Sequence, residues 1–189
     1  LLLVTCNAAI AQQYKQFDTI ADHAVAIQKM QSILTKDAAN PDLLCLIAQR
    51  KILAGEFDSS IFYCNKCIEL LTRSANNKIL IRALHTKGNA QYYLDDKAKA
   101  ETNWREALKL ALQENDHERI VKLSSNLGAI YLDEVYANAK DMHNFITADS
   151  FFAIAYQQLK AQDSLASDQG LRTMRLMATS LHFQKKYDS

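Results

Sequence analysis

A chain that repeats itself at a fixed interval has to build its core by stacking like units, because no single unit of that size can bury its own apolar face. Such a repeat is present here. The segment from Pro41 superposes on the segment from Ile81, pairing Leu44 with Leu84, Ala48 with Gly88, Ser60 with Ala100, Cys64 with Trp104, Cys67 with Ala107 and Leu70 with Leu110, all 40 residues apart. A third copy from Val121 continues with Leu127, Gly128 and Tyr131 and resumes after a longer connection at Ala148, Phe152 and Ala155. A fourth begins near Leu171, with Met174, Ala178 and Leu181, and runs to Tyr187.

Each copy reads as two amphipathic helices. With four Gly and one Pro in 189 residues, the turn residues that a β-sheet needs every eight to twelve positions or so are missing. In the second copy Ala100, Trp104, Ala107, Leu108 and Ala111 recur at helical spacing, while Lys97, Glu101, Arg105 and Lys109 line another face. That face predicts i,i+4 ion pairs of Lys97 with Glu101 and of Glu101 with Arg105. Asn40-Pro41 marks a helix start, since the Asn side chain accepts an orphan amide and Pro at the first helical position gives up an N–H that had no partner. Asp116 is placed to cap the helix leading into the third copy. Small residues at Ala48, Gly88, Gly128 and Ala178 predict close approach of the two helices of a hairpin, and Trp104 and Phe152 are expected to fill the space between neighbouring hairpins. Residues 18–36, with Ile20, Ala24, Ile27, Met30 and Leu34 in a stripe, predict an N-terminal helix that caps the array.

The run Gly88-Asn89-Ala90-Gln91-Tyr92-Tyr93, followed by Ala100, Trp104 and Ala107-Leu108-Lys109-Leu110, resembles a tetratricopeptide repeat (TPR). The resemblance covers residues 41–189 and is strongest in the second copy. It departs from the family in its period, 40 residues against about 34, and in lacking the Pro that usually closes each repeat. It implies an all-α fold, a right-handed α-solenoid of helix-turn-helix hairpins. The organisation expected is the end of a signal peptide at 1–11, a capping region at 12–40 and repeats from 41 to 189, starting near 41, 81, 121 and 171.

Several chemistries find no support in the residues. Cys64 and Cys67 form a Cys-x-x-Cys pair, but both fall where other copies carry core residues, and a structural zinc site needs a second such pair. The expectation is a buried, inert pair, with Cys45 on the preceding helix near enough to make a disulfide conceivable in an exported chain. The five His show no i,i+4 pairing, and no phosphate loop, nucleophile elbow or kinase sequence occurs. No catalytic, cofactor or metal site is therefore expected. Asp95-Asp96 and Asp133-Glu134 are read as residues of helix junctions. With 22 basic and 21 acidic residues and no basic face, nucleic acid is an unsuitable partner. No stretch reaches the roughly 20 apolar residues of a membrane helix. Leu1-Leu2-Leu3-Val4 followed by Ala9-Ile10-Ala11 reads as the end of a secretory signal cleaved before Gln12, which predicts a periplasmic or otherwise extracytoplasmic location, with the cytoplasm as alternative.

In TPR arrays the first helix of each hairpin lines a concave, partner-binding face. Carried over by position, this resemblance implies a peptide groove of Arg82, His85, Asn89, Tyr92 and Tyr93 from the second copy, Lys122, Ser125, Asn126 and Ala129 from the third, and Arg172, Arg175 and Thr179 from the fourth. Asp42, Cys45, Gln49 and Ile52 come from the first. Its basic and aromatic C-terminal half suits an acidic peptide or a free carboxylate. Asn89, Asn126 and Arg172 are similar to the carboxylate clamp of chaperone-binding members, with His85 where that clamp has Lys and Leu176 where it can have a second basic residue. The expected partner is thus a protein or peptide, and self-assembly into a homo-oligomer is compatible with the pattern. The signal followed by a long-period array resembles the input region of bacterial TPR-containing sensor histidine kinases, and a stand-alone interaction scaffold is the alternative.

Overall fold

The computed structural model describes residues 15–17, 19–37, 39–71, 76–137 and 142–187. Among these the chain is all-helical: a 3-10 turn at Lys15–Phe17 and eight α-helices, α1 (His23–Leu34), α2 (Pro41–Leu53), α3 (Phe57–Leu71), α4 (Asn77–Tyr93), α5 (Lys97–Gln113), α6 (His117–Ala137), α7 (Met142–Ala161) and α8 (Asp168–Tyr187). The signal-peptide reading of residues 1–11 lies outside the described residues. The chain divides into two compact units, Leu1–Leu94 and Asp95–Ser189, and the division falls in the turn of the second copy.

In the first unit α1 starts later than the 18–36 stripe predicts. Asp22, with extended backbone, caps it by accepting from the Ala24 and Val25 amides at 2.8 and 3.1 Å, so α1 begins at His23 and not at 18. Ile27 and Met30 are buried as expected, with Phe17, Ala26, Leu43 and Ile47, but Ala24 faces solvent. The Arg50 guanidinium ties the N-terminal segment down by donating to the Phe17 carbonyl at 2.6 Å. Helix α2 begins as read from the sequence, with the Leu43 amide 3.0 Å from Asn40 Oδ1. It ends in a paired C-cap: Gly55 takes φ 76°, its amide reaches the Ile52 carbonyl at 2.9 Å, and the Glu56 amide reaches that of Lys51 at 2.8 Å. Helix α3 returns against α2 with Ser60 Oγ donating to the Ala48 carbonyl at 2.8 Å, a contact that needs the small residues at both places. Leu44, Cys45, Cys67, Leu71, Ile79 and Ala83 join α2, α3 and α4 in one cluster.

The second unit repeats the device. The amide of Ser164 closes the end of α7 on the Leu159 carbonyl at 2.9 Å, with Asp163 at φ 52°. Between α5 and α6 the left-handed residue is Asn115, and the next residue, Asp116, caps α6 by accepting from the Arg119 amide at 3.1 Å. Asp96 caps α5 in the same way, through the Lys99 amide at 3.3 Å. The Asp95-Asp96 junction reading therefore holds, whereas Asp133 and Glu134 lie inside α6, which runs on for 21 residues. Lys97 pairs with Asp133 at 3.5 Å and not with Glu101, whose carboxylate is already bonded to Arg105 at 2.7 Å and to the Tyr131 hydroxyl.

Gly128 sits under the Phe152 ring: a Cβ there would lie 2.4 Å from Phe152 Cε1. Phe152 thus packs within its own hairpin and also, as expected, toward the next one, since Leu176 and Met177 of α8 pack against the same cluster. Two polar ties fix α8 in register: Ser125 and Thr173 hydroxyls meet at 3.0 Å, and Asp149 accepts from Ser180 at 2.7 Å and from Gln184. Ala178, expected at a helix-helix contact, is exposed.

Candidate binding faces

The residues implied for a groove divide between the two units, and each set has its own geometry. On α4 of the first unit, Tyr93 is 60% exposed and its ring stacks on Phe57 at 5.0 Å, with Tyr92 edge-on to it at 6.2 Å. Asn89 is half-buried one turn earlier. Arg82 is not a free cation, because Asp42 of α2 holds it at 3.2 Å with both side chains largely covered. An acidic ligand would have to compete with that carboxylate. His85 is buried at 6% exposure, so the inward position carried over from the family points this imidazole into packed protein. Cys45 is buried as well, and Gln49 and Ile52 are half-buried.

On the second unit, Ser125 is fully buried, since it faces α8 and bonds Thr173. Lys122 is paired one turn back with Glu118 at 2.5 Å, and that bond holds the Glu118 carboxyl below its ordinary pKa. Asn126 and Ala129 are half-buried. Arg172 and Arg175 of α8 are exposed, and among the described residues no ion pair engages either. Thr179 turns its hydroxyl back to the Arg175 carbonyl at 2.9 Å. The accessible chemistry is therefore aromatic and amide on α4, and cationic on α8.

The thiols are structural. Cys45, Cys64 and Cys67 are buried and free of disulfides. Burial, reinforced by the neighbouring Cys45, pushes the Cys64 thiol well above its ordinary pKa. Hydrogen bonding with Cys45 and then burial do the same for Cys67, whose Sγ also donates to the Pro41 carbonyl at 3.2 Å. Thiols so held are poor nucleophiles and poor metal ligands. No group of three metal-ligating side chains occurs among the described residues, and no described helix is long and apolar enough to cross a membrane.

The expected Glu101–Arg105 pair forms, and the fold adds to it two aromatic partners that sequence periodicity did not anticipate. Arg105 donates to Glu101 and to the Tyr131 hydroxyl, both at 2.7 Å, and lies 5.0 Å over the Phe151 ring. Burial opposes the Arg105 charge, but its bonds to Glu101 and Tyr131 raise its pKa on balance; burial and then Glu101 raise that of the Tyr131 phenol. Arg105 stays exposed on the polar face of α5, and only the arrival of α6 and α7 beside α5 supplies its aromatic partners.

These elements define a TPR-like helical-repeat fold, and solved structures agree. The chain is similar to the crystal structure of MamA, with a TM-score of 0.55 and 17% identity over 92% of this chain and 95% of that one. It is also similar to BtubC (BKLC) from P. vanneervenii, with a TM-score of 0.59 and 12% identity over 87% of this chain and 71% of that one. A second MamA structure gives 0.54 at 17% identity, over 93% and 92% of the two chains. No protein-family model and no curated protein matches the sequence.

Proposed function

We propose that this chain is a protein-interaction module that binds an acidic peptide on the cationic face of α8 in its second unit. The observation that carries the reading is the pair Arg172 and Arg175. They are exposed and without an ion pair among the described residues, on a helix otherwise fixed by the buried Ser125–Thr173 and Asp149–Ser180 bonds. A cationic surface on a rigid support is suited to charge-assisted bonds with carboxylates. The TPR-like fold, whose first helices commonly present such faces, supports the same assignment. Fluorescence anisotropy with a labelled hexaglutamate peptide tests it. Binding should weaken about tenfold in the Arg172→Glu/Arg175→Glu variant and fall with added salt. Equal affinity of the variant, or no binding by the parent chain, would refute the reading.

For its setting we propose the extracytoplasmic input region of a bacterial sensor protein, supported by the apolar run Leu1–Val4 and the small residues Ala9 and Ala11. The stand-alone scaffold remains the alternative reading. Recovery of the expressed native protein in the periplasmic fraction with an N-terminus at Gln12 would favour export, and an unprocessed cytosolic chain would reject it.

A further inference from the structure

Helices α2 and α3 carry three of the chain's four cysteines, and the fold sorts them. Cys45, Cys64 and Cys67 are all out of contact with water. Cys64 turns along its own helix, where its thiol bonds Ser60 one turn earlier, at the place where Ser60 reaches the Ala48 carbonyl. Cys67 turns across the hairpin instead. Its Sγ lies 3.2 Å from the carbonyl of Pro41, the first residue of α2. In an α-helix that carbonyl is the acceptor for the amide four residues on, which is the amide of Cys45. The Cys67 sulfur is therefore lodged against the turn of α2 that carries Cys45, and the two thiols hydrogen-bond each other. Leu44, Leu71, Ile79 and Ala83 pack round the pair in one cluster.

We infer that Cys45 and Cys67 are a modification site: the pair closes to a disulfide between α2 and α3 when the chain folds in the presence of a disulfide oxidant, and Cys64 stays a thiol. Sulfurs already in contact across a helix pair meet the main geometric demand of a disulfide, that the two side chains point at each other. The exchange has two steps. In a chain that has not yet closed its core, the thiolate of one cysteine attacks glutathione disulfide, or another small or protein disulfide, and expels one thiolate. The thiolate of the other cysteine then attacks the mixed disulfide and expels the second. The two cysteines are oxidised, the oxidant is reduced to two thiols, and those thiols keep the two protons. The Pro41 carbonyl loses Cys67 as a donor and retains the Cys45 amide. Burial sets the timing. Once Ile79 and Ala83 of α4 cover the pair, neither oxidant nor reductant reaches it without opening of the core. The pair therefore records the redox condition in which the chain folded. Its bond closes the loop through the α2–α3 turn and so restrains the unfolded chain, which stabilises the first unit. This site lies within that unit and is independent of the acidic-peptide reading.

The test starts from the 189-residue chain in a Cys6→Ser background, unfolded in urea with reductant and refolded by dilution into a mixture of oxidised and reduced glutathione. Trypsin cleaves after Arg50 and Lys66, which puts Cys45, Cys64 and Cys67 on three different peptides, 37–50, 52–66 and 67–73. Mass spectrometry should find 37–50 linked to 67–73, lighter by two hydrogens than the two peptides together, with 52–66 free for alkylation after digestion. A Cys64→Ser variant should form the same link. The linked chain should melt at least about 5 °C higher than the chain refolded in reductant. Folded reduced chain moved into the same glutathione mixture should oxidise at least about 10²-fold more slowly than the refolding chain. A link through Cys64, glutathione adducts in place of a link, or a chain that refolds fully reduced would each overturn the proposal. So would oxidation of the folded chain at the refolding rate, or a linked chain that melts no higher than the reduced one, because the bond would then distort the helix pair it joins.

Discussion

The hairpins α2–α3 and α6–α7 close their helix pairs by opposite means. In the first, both facing residues are small, and the approach is fixed by polarity: Ser60 donates into the Ala48 carbonyl, with the buried Cys64 thiol bonded beside it. In the second, size is exchanged across the interface, nothing on Gly128 and a whole ring on Phe152, both out of contact with water. A repeat alignment records both as a small residue facing a second-helix position. The energetics differ, because a buried ring carries several times the transfer free energy of a hydroxyl-to-carbonyl bond.

This comparison can be tested from its largest consequence downward. In the first hairpin the thiols should be kinetically silent. In a Cys6→Ser background, alkylation at pH 8 should be at least about 10³-fold slower in the native chain than in urea, since reaction must await opening of the core. Rapid labelling of Cys64 would show that the first hairpin is not closed by its thiols. In the second hairpin, Phe152→Ala should cost about 3–5 kcal/mol in urea denaturation, as expected for an aromatic removed from a packed site. The matching removal in the first hairpin, Ser60→Ala, should cost about 1 kcal/mol, one net hydrogen bond. If the two costs came out equal, the contrast between the hairpins would fail.

The smallest expected effect is on pH dependence. Lys99 lowers the Asp96 pKa mainly through its side-chain hydrogen bond, and Lys122 does the same for Glu118. A carboxyl depressed in the folded state adds stability above its unfolded pKa and loses it as the pH falls through the folded value. Both residues belong to the second unit. Its melting should therefore shift slightly downward between about pH 5 and pH 3, and the Lys122→Met variant should show less of that shift. Both groups are largely solvent-facing, so screening keeps the effect small.

Much of the fold was legible because repetition and caps are local signals. Asn40-Pro41 and Asp116 cap where expected, and the small residues at 48, 88 and 128 are buried. The misses share a physical origin: a helical stripe gives the angle of a residue but not what stands opposite it. Lys97 had two carboxylates within reach, and the choice was made by Arg105 and Tyr131, which occupy Glu101. Ser125 reads as a polar inward residue until α8 brings Thr173 to it, and Ala178 reads as a contact although no described helix covers it. Of the groove positions, those on exposed arcs such as Tyr93, Arg172 and Arg175 are accessible, while His85 and Ser125 are on arcs that neighbouring packing claims.

The most direct test of the size exchange is a double-mutant cycle on Gly128→Leu and Phe152→Ala, measured by urea denaturation. Each single change should destabilise, Gly128→Leu by overpacking and Phe152→Ala by leaving a cavity, and the pair should recover at least about 1 kcal/mol relative to their sum because the new side chain fills the vacated ring site. Additivity within about 0.5 kcal/mol would mean that the two residues do not share one packed space, and the account of how these helices pair would be wrong.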